Sequence, residues 1–355
     1  MTQTRKMEIS MARRAVIALL ALALAIGACR GPGEPSTCAT PPPNGNGGCG
    51  FVPTTLKVGL GYIPSVQFAQ FYLAEQAGYY REAGLAVTFE NKIDPDLVTL
   101  VGQGALDIGV ADGTSVVPAV GQDIPIKYVT TIYGTYPSIV FAKASSGITS
   151  AADLEGKRIG IPGKYGSSWI MLQALLSSAG LTPDDVTIVE YPDFGQGVAV
   201  QADVVDAATG FANNEPVQLE LTGSEAVVLH VDDIVPLPGP GLIVGTATLD
   251  AKRDAIASFQ NATLQAMEQI ALDPAKGVDA AIIAVPELGS DRTTQEAILD
   301  ATIATWAPPG GDSGDFGSID RAGWEATVDL LVTLGIVPNP VPVDRLVEAI
   351  GLPAD

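Results

Sequence analysis

The residues of this chain that are best suited to bind a ligand are aromatic side chains that follow predicted strands. Aromatic residues make up only 6% of the sequence, yet many stand directly after a short apolar run. Because open α/β sheets bind ligands at the carboxyl ends of their strands, side chains at these positions face a common cleft. Their ring faces predict a site that stacks a flat heteroaromatic molecule; alternatively, each ring caps the sheet or packs on a helix. The rings concerned are Tyr62, Tyr133, Tyr136, Tyr165, Trp169, Tyr191, Phe194 and Phe211.

A glycine-containing turn at residues 162–168 leads from a predicted strand into a predicted helix. Its glycines let the backbone approach a ligand, and the N–H groups at a helix N-terminus carry partial positive charge. Such a turn can hold an acidic group or a carbonyl oxygen, although its spacing is not that of a P-loop. Ser167 and Ser168 are the candidate ligand contacts here, unless one of them simply caps the helix.

A second polar group is the run Asn213-Asn214-Glu215, in which Asn214 and Glu215 are candidate ligand contacts. A carboxylate beside amides can recognise ring N–H groups, amino groups or hydroxyls through charge-assisted hydrogen bonds. Glu215 would repel an anionic ligand such as a sulfonate or nitrate. A neutral ring is therefore the favoured ligand. The alternative is a turn stabilised by asparagine side chains. Asp112 either contacts the ligand or caps the next helix, and Gln67 either donates to the ligand or lies on the solvent face of its helix.

The sequence offers little for catalysis. His230 is the only histidine, so a Ser-His-Asp or Cys-His site would have to use it, and no nucleophile lies near it in sequence. No residue spacing suggests a zinc site. We therefore expect a binding protein without catalytic residues, metal or cofactor, in which His230 is structural.

The first 29 residues have the form of a bacterial lipoprotein signal peptide. Arg13 and Arg14 precede an apolar run over residues 15–28, which is short of the roughly 20 residues that cross a bilayer. The run ends at Cys29, and residues 26–29 resemble a lipobox, so Cys29 is predicted to carry a lipid anchor. The alternative is an ordinary signal peptide with an incidental cysteine.

Residues 30–53 are rich in Gly, Pro, Asn, Ser and Thr, which predicts a flexible linker. Cys38 and Cys49 lie within it and could form a disulfide in an oxidising compartment or remain as thiols. The net charge of −21 argues against a nucleic-acid partner, because phosphate binding needs clustered Lys and Arg.

From Leu56 onwards short apolar runs alternate with helical stretches, which is typical of βαβ units around a parallel sheet. The pattern predicts two α/β lobes: the first over residues 54–139 and 242–355, the second over 140–241. Chain crossings are expected near 138–142 and 238–246. After Gly241 the chain becomes helical, with candidate helices at 250–271, 275–284, 292–305, 319–334 and 343–350. Leu242–Thr248 is predicted to return as a strand of the first sheet; the alternative is a separate helical domain.

Several segments resemble the NMT1/THI5-like periplasmic binding proteins. The resemblance lies in the opening strand and turn at residues 56–64, in residues 71–74 and 78–85, in 153–162 and in the run Gly210-Phe211-Ala212-Asn213-Asn214-Glu215-Pro216. It implies a fold of the periplasmic-binding-protein type II, with two doubly wound α/β lobes and a two-crossing hinge. It also implies a monomeric solute-binding lipoprotein on the outer face of the cytoplasmic membrane that serves an ABC permease.

Members of this family bind riboflavin, pyrimidine precursors of thiamine, sulfonates or nitrate. The segment from Tyr62 to Ala69 looks most like the riboflavin-binding branch. The thiamine-pyrimidine branch usually has Trp where Tyr62 stands and His near Phe68, and both are absent here. Two other classes of function are alternatives to a binding protein. One is an enzyme, since one relative in the family is a pyrimidine synthase that uses pyridoxal phosphate and an active-site histidine. The other is an adhesion or structural lipoprotein without a ligand. Hinge closure around the ligand is expected, with Tyr136-Pro137-Ser138 as one crossing.

Overall fold

The computed structural model describes residues 52–93, 96–234 and 237–351. The predicted signal peptide, the anchor residue Cys29, the possible Cys38–Cys49 disulfide and most of the predicted linker lie outside the described residues. No helix in the described part of the chain is long and apolar enough to cross a membrane.

Ten strands form two five-stranded sheets. In the first sheet the spatial order is β2-β1-β3-β10-β4, and in the second it is β7-β6-β8-β5-β9. The strands are β1 (Thr54–Leu60), β2 (Leu85–Asn91), β3 (Ile108–Ala111), β4 (Ile126–Thr131), β5 (Ser138–Lys143), β6 (Arg158–Ile161), β7 (Thr187–Glu190), β8 (Ala207–Phe211), β9 (Ala226–His230) and β10 (Gly241–Gly245).

Twelve α-helices are found in the described residues. They are α1 (Ala69–Ala77), α2 (Tyr79–Glu82), α3 (Asp96–Gly102), α4 (Gly113–Gly121), α5 (Gly166–Ser178), α6 (Gln196–Gln201), α7 (Glu215–Leu221), α8 (Thr246–Leu272), α9 (Pro274–Ala284), α10 (Arg292–Ile303), α11 (Arg321–Thr333) and α12 (Val343–Leu346).

Each sheet is mixed, where the sequence pattern predicted parallel sheets. The strands β5 and β10, which follow the two crossings, run antiparallel to both of their neighbours. The crossings expected near 138–142 and 238–246 are placed too late in the chain, because Ser138–Lys143 form the buried strand β5 and Gly241–Gly245 form β10. The chain leaves the first sheet after Thr131 and crosses back before Gly241. A continuous apolar run such as residues 139–142 carries no periodicity that separates a buried strand from a link.

The return of the chain as a strand of the first sheet is confirmed: β10 pairs with β3 and β4. Gly241 is required at its start, since a Cβ there would lie 2.1 Å from the carbonyl oxygen of Thr130. The predicted C-terminal helices are present with shifted limits. The last one ends early, at Leu346, because Val347 and Glu348 pair with Tyr128 at the edge of β4.

Helices α8, α9 and α10 pack on the first sheet and share one core with it, whereas α11 and α12 pack in a second core with α3 and α4. At the centre of the first of these cores Phe259 of α8 stacks on Tyr80 and on Phe71, with ring centroids 4.8 and 6.1 Å apart. The Tyr80 hydroxyl hydrogen-bonds to Thr263 in α8 at 2.8 Å. These helices follow β10 in the chain, and the second crossing precedes it. The second crossing therefore connects two lobes that each have a well-packed core.

Candidate functional site

A cavity lies between the two sheets, at the carboxyl ends of their strands, and holds about 960 Å³ of empty space with its open mouth included. Its walls come from the turns that follow β1, β3 and β4 in the first lobe and β6, β7 and β8 in the second. Eleven of the fourteen candidate residues named from the sequence line it: Tyr62, Gln67, Asp112, Tyr133, Tyr165, Ser167, Ser168, Phe194, Phe211, Asn214 and Glu215. Their role as ligand contacts stays a prediction.

Three of the candidates do not line this cavity, and one of them, Tyr191, packs on the core of the second sheet. Tyr136 is buried, with its hydroxyl beside Asp112 and Thr114 at the start of α4 and beside Ser167 at the start of α5. Trp169 packs on the core of the second sheet, where the Lys164 ammonium lies 5.6 Å from the centre of its ring. Tyr136 and Trp169 both follow strands as the prediction required. The direction of each side chain is set instead by the path of the crossing and by the rotation of helix α5.

Gln196 and Pro240 also line the cavity, together with other residues of its walls. Phe194 could be predicted from the sequence, because its position after a strand is a usable signal. Gln196, in the first turn of α6, carries no such signal, because its side chain reaches the cavity only through the packing of α6 on β8.

Two aromatic side chains that line the cavity make contact between the two lobes. Tyr62 of the first lobe meets Phe194 of the second edge to face, with ring centroids 4.9 Å apart. Phe194 has a φ of 62°, a left-handed conformation that is uncommon outside glycine and is often found at functional sites. Burial and the nearby carboxyl of Glu215 raise the pKa of Tyr62, so its phenol stays neutral.

Glu215 is the principal polar group of the second lobe. It begins α7, and its carboxylate accepts a hydrogen bond from the Phe211 N–H at 2.9 Å and a longer one from Gln196 Nε2 at 3.4 Å. Burial raises the pKa of Glu215 from 4.5 to about 7, and the Phe211 N–H opposes that rise. At neutral pH the group can therefore accept a hydrogen bond as a carboxylate or donate one as an acid.

Asp112 is the corresponding group of the first lobe. It caps α4, accepting from the Thr114 N–H at 2.8 Å and from the Thr114 hydroxyl at 2.6 Å, and it lines the cavity as well. Burial raises the pKa of Asp112, and these hydrogen bonds lower it again. Capping and cavity lining therefore coexist at this residue. Among the described residues that line the cavity, none is Lys, Arg or His.

The N-terminus of α5 forms the third polar element. Gly166, Ser167 and Ser168 line the cavity as the first three residues of the helix, and Tyr165 stands at the N-cap. The alternative in which one of the serines caps this helix is therefore wrong, and no side-chain hydrogen bond caps this end. The first N–H groups of a 13-residue helix thus lie beside the cavity.

His230 stands outside this arrangement. It ends β9, is partly exposed, and lies 3.6 Å from Asp232, which raises its pKa. In the described residues no cluster of His, Cys, Asp and Glu could hold a metal ion.

Two α/β lobes with mixed sheets, two crossings and a cavity between them define the periplasmic-binding-protein type II fold. The alkanesulfonate-binding protein SsuA of Xanthomonas axonopodis has the same fold, with a TM-score of 0.65 and 21% sequence identity over 84% of this chain and 99% of the SsuA chain. The sequence model described as "NMT1/THI5 like" matches residues 65–277. The chain belongs to that family.

Two relatives in sequence have different activities in their names. The riboflavin-binding protein RibY of Chloroflexus aurantiacus is 33% identical over 334 residues, which is 91% of this chain and 93% of RibY. A 4-amino-5-hydroxymethyl-2-methylpyrimidine phosphate synthase of Legionella pneumophila is 33% identical over 168 residues, which is 46% of this chain and 52% of the synthase.

Proposed function

We propose that this protein is the extracytoplasmic solute-binding component of an ABC importer and that it binds riboflavin in the cavity between its lobes. The observation that carries the proposal is the lining of the cavity. Aromatic rings from both lobes face it beside two buried carboxyl groups, and no cationic side chain is found among the described lining residues. The near full-length similarity to RibY supports the same ligand.

The charge of the cavity favours a neutral ring over a sulfonate or nitrate. An anion would meet the carboxyls of Glu215 and Asp112 in a poorly hydrated space, where like charges repel strongly. The flavin ring system presents flat faces for Tyr62 and Phe194 and an edge of carbonyl and N–H groups for Glu215 and Gln196. The uncapped N-terminus of α5 suits a carbonyl or hydroxyl oxygen.

We do not propose a catalytic role for this protein. The synthase relative raises the question, but the sole histidine, His230, lies outside the cavity, and the described lining residues include no lysine or cysteine that could form a covalent intermediate. We infer instead that lobe closure retains the ligand until the ABC permease receives it, with residues 132–137 in one crossing and residues 231–234 and 237–240 in the other as the described parts that move.

The location of the protein is part of the same proposal. Export by the N-terminal signal and acylation of Cys29 would anchor a monomeric protein to the outer face of the cytoplasmic membrane, beside its permease. A thiamine pyrimidine is the second ligand to test, because the synthase relative has a pyrimidine product in its name.

The test is a titration of the purified protein with riboflavin, followed through flavin fluorescence. We expect saturable quenching at one ligand per chain. Phe194→Leu removes a ring that lines the cavity, and roughly ten-fold weaker binding is expected. Tyr191→Leu is the matched control, because Tyr191 stands in the same loop and packs on the core of the second sheet. The absence of quenching with the wild type would refute riboflavin, and a thermal-shift screen would then compare 4-amino-5-hydroxymethyl-2-methylpyrimidine with alkanesulfonates.

A further inference from the structure

Asn213 is a buried amide that spans the two lobes behind the cavity. It follows β8 of the second sheet and is 1% exposed. Its side-chain nitrogen donates to Gln67 Oε1 at 2.9 Å and to Thr302 Oγ1 at 2.8 Å. Gln67 precedes α1 and Thr302 lies in α10, and both elements pack in the core of the first lobe. Both amide hydrogens of Asn213 are therefore used between the lobes.

The two acceptors are held in place by the first lobe itself. The Thr302 hydroxyl donates to the Ile298 carbonyl at 2.7 Å, which leaves its oxygen to accept from Asn213. The Gln67 side-chain nitrogen donates to Ser65 Oγ at 3.1 Å, so its carbonyl oxygen faces Asn213. Gln67 is 4% exposed and also lines the cavity, so the bond from Asn213 orients a side chain at the candidate site.

Opening of the hinge must break both bonds of Asn213. Each buried hydrogen bond of this kind changes an opening equilibrium by roughly five-fold, because its groups exchange a fixed partner for water. Both bonds are formed between protein atoms alone, without a ligand atom. They therefore favour the closed arrangement before a ligand binds as well as afterwards.

We propose that Asn213 is an interlobe latch: it holds the cavity closed through Thr302 and Gln67, and it positions the Gln67 side chain for the ligand. This inference rests on the proposed binding function and adds the residue that sets how long the ligand is retained. Asn213 acts as a positioning residue, since it lies outside the cavity lining.

Thr302→Val tests the latch because it removes one acceptor and keeps the shape of the side chain. The control is Thr327→Val: Thr327 is 1% exposed, and its hydroxyl donates to the Gly323 carbonyl at 2.8 Å within α11, as Thr302 does within α10. Thr302→Ser restores the acceptor. Riboflavin is the probe, and stopped-flow fluorescence gives its association and dissociation rates with the full chain.

In Thr302→Val, riboflavin should dissociate roughly five- to ten-fold faster, and its association rate should not fall, because the latch also favours closure of the ligand-free cavity. Thr327→Val and Thr302→Ser should dissociate at about the wild-type rate. An unchanged dissociation rate in Thr302→Val would overturn the latch and leave riboflavin binding intact.

If the wild type does not bind riboflavin, the proposed function fails and the latch is decided without ligand. Hydrogen exchange of the ligand-free full chain then compares the backbone amides of residues 210–215. Faster exchange in Thr302→Val than in the wild type and in Thr327→Val would support the latch, and equal exchange in all three would refute it.

Discussion

Replacing Glu215 by glutamine tests the electrostatics of the cavity through the stability of the protein. Burial raises the pKa of the Glu215 carboxyl from 4.5 to about 7 in the folded protein, whereas the unfolded chain titrates at the ordinary value. The folded state therefore binds this proton more tightly. The stability contributed by the bound proton is complete below pH 4.5, declines as the pH rises towards 7, and is lost above pH 7.

The magnitude follows from the gap between the two pKa values. A ten-fold change in acidity is worth about 1.4 kcal/mol, so ionisation of the buried Glu215 costs the folded state about 3 kcal/mol above pH 7. Glutamine keeps the size of the side chain and an oxygen for the Phe211 N–H, but it does not titrate. From pH 5 to pH 8, the free energy of unfolding of Glu215→Gln should therefore rise relative to the wild type by about 2–3 kcal/mol.

Urea unfolding at pH 5 and pH 8, followed by fluorescence of the buried Trp306 and Trp324, measures this difference. Comparison of the two pH dependences cancels the contribution of Asp112, whose pKa is also raised by burial. Glu220→Gln is the matched control, because Glu220 lies on the exposed face of the same helix. Identical pH dependences for Glu215→Gln and the wild type would refute the reasoning, since Glu215 would then be ionised in the folded protein at pH 5.

Three further predictions concern the binding site, the fold and the anchor. Tyr62→Phe keeps the ring that contacts Phe194 and should weaken riboflavin binding less than about five-fold in a fluorescence titration. Tyr62→Ala removes the ring and should bind riboflavin roughly ten-fold more weakly than Tyr62→Phe. Equal losses in the two variants would show that the ring does not contribute to binding. Gly241→Ala places a Cβ 2.1 Å from the Thr130 carbonyl oxygen and should lower the free energy of unfolding by about 2 kcal/mol or more in the same urea experiment. At Gly351 an added Cβ would have no neighbouring atom within 4 Å, so Gly351→Ala should leave the free energy of unfolding nearly unchanged. Cys29→Ser should move the protein from the membrane fraction to the soluble extracytoplasmic fraction in a cell fractionation, and retention in the membrane would exclude an acyl anchor at Cys29.

Much of the element order could be predicted from the sequence alone. Alternating apolar runs and helical stretches predicted the two α/β lobes, the C-terminal helices and the return of β10 to the first sheet, because hydrophobic periodicity is a local property of the chain. The strand that escaped prediction, β5, is a continuous apolar run. The antiparallel direction of β5 and β10 was missed for a related reason, since strand direction is set by pairing partners distant in the sequence.

The candidate site was predictable to the extent that it depends on strand ends. Tyr62, Asp112 and Glu215 each come just after or near the end of a strand, and the carboxyl ends of the strands in both sheets meet at the cavity. Their presence there follows from chain position together with a general property of α/β folds, so no knowledge of side-chain packing was needed.

The direction of each side chain was decided only by the tertiary structure. Asn213 and Asn214 are neighbours of the same type, yet Asn214 lines the cavity and Asn213 bonds across to the other lobe. Trp169 follows directly after Ser168 and packs away from the cavity that Ser168 lines. The sequence by itself determined which residues lie near the carboxyl edge of the sheets. Which of them face the ligand cavity depends on how helices and crossings from distant parts of the chain pack around that edge.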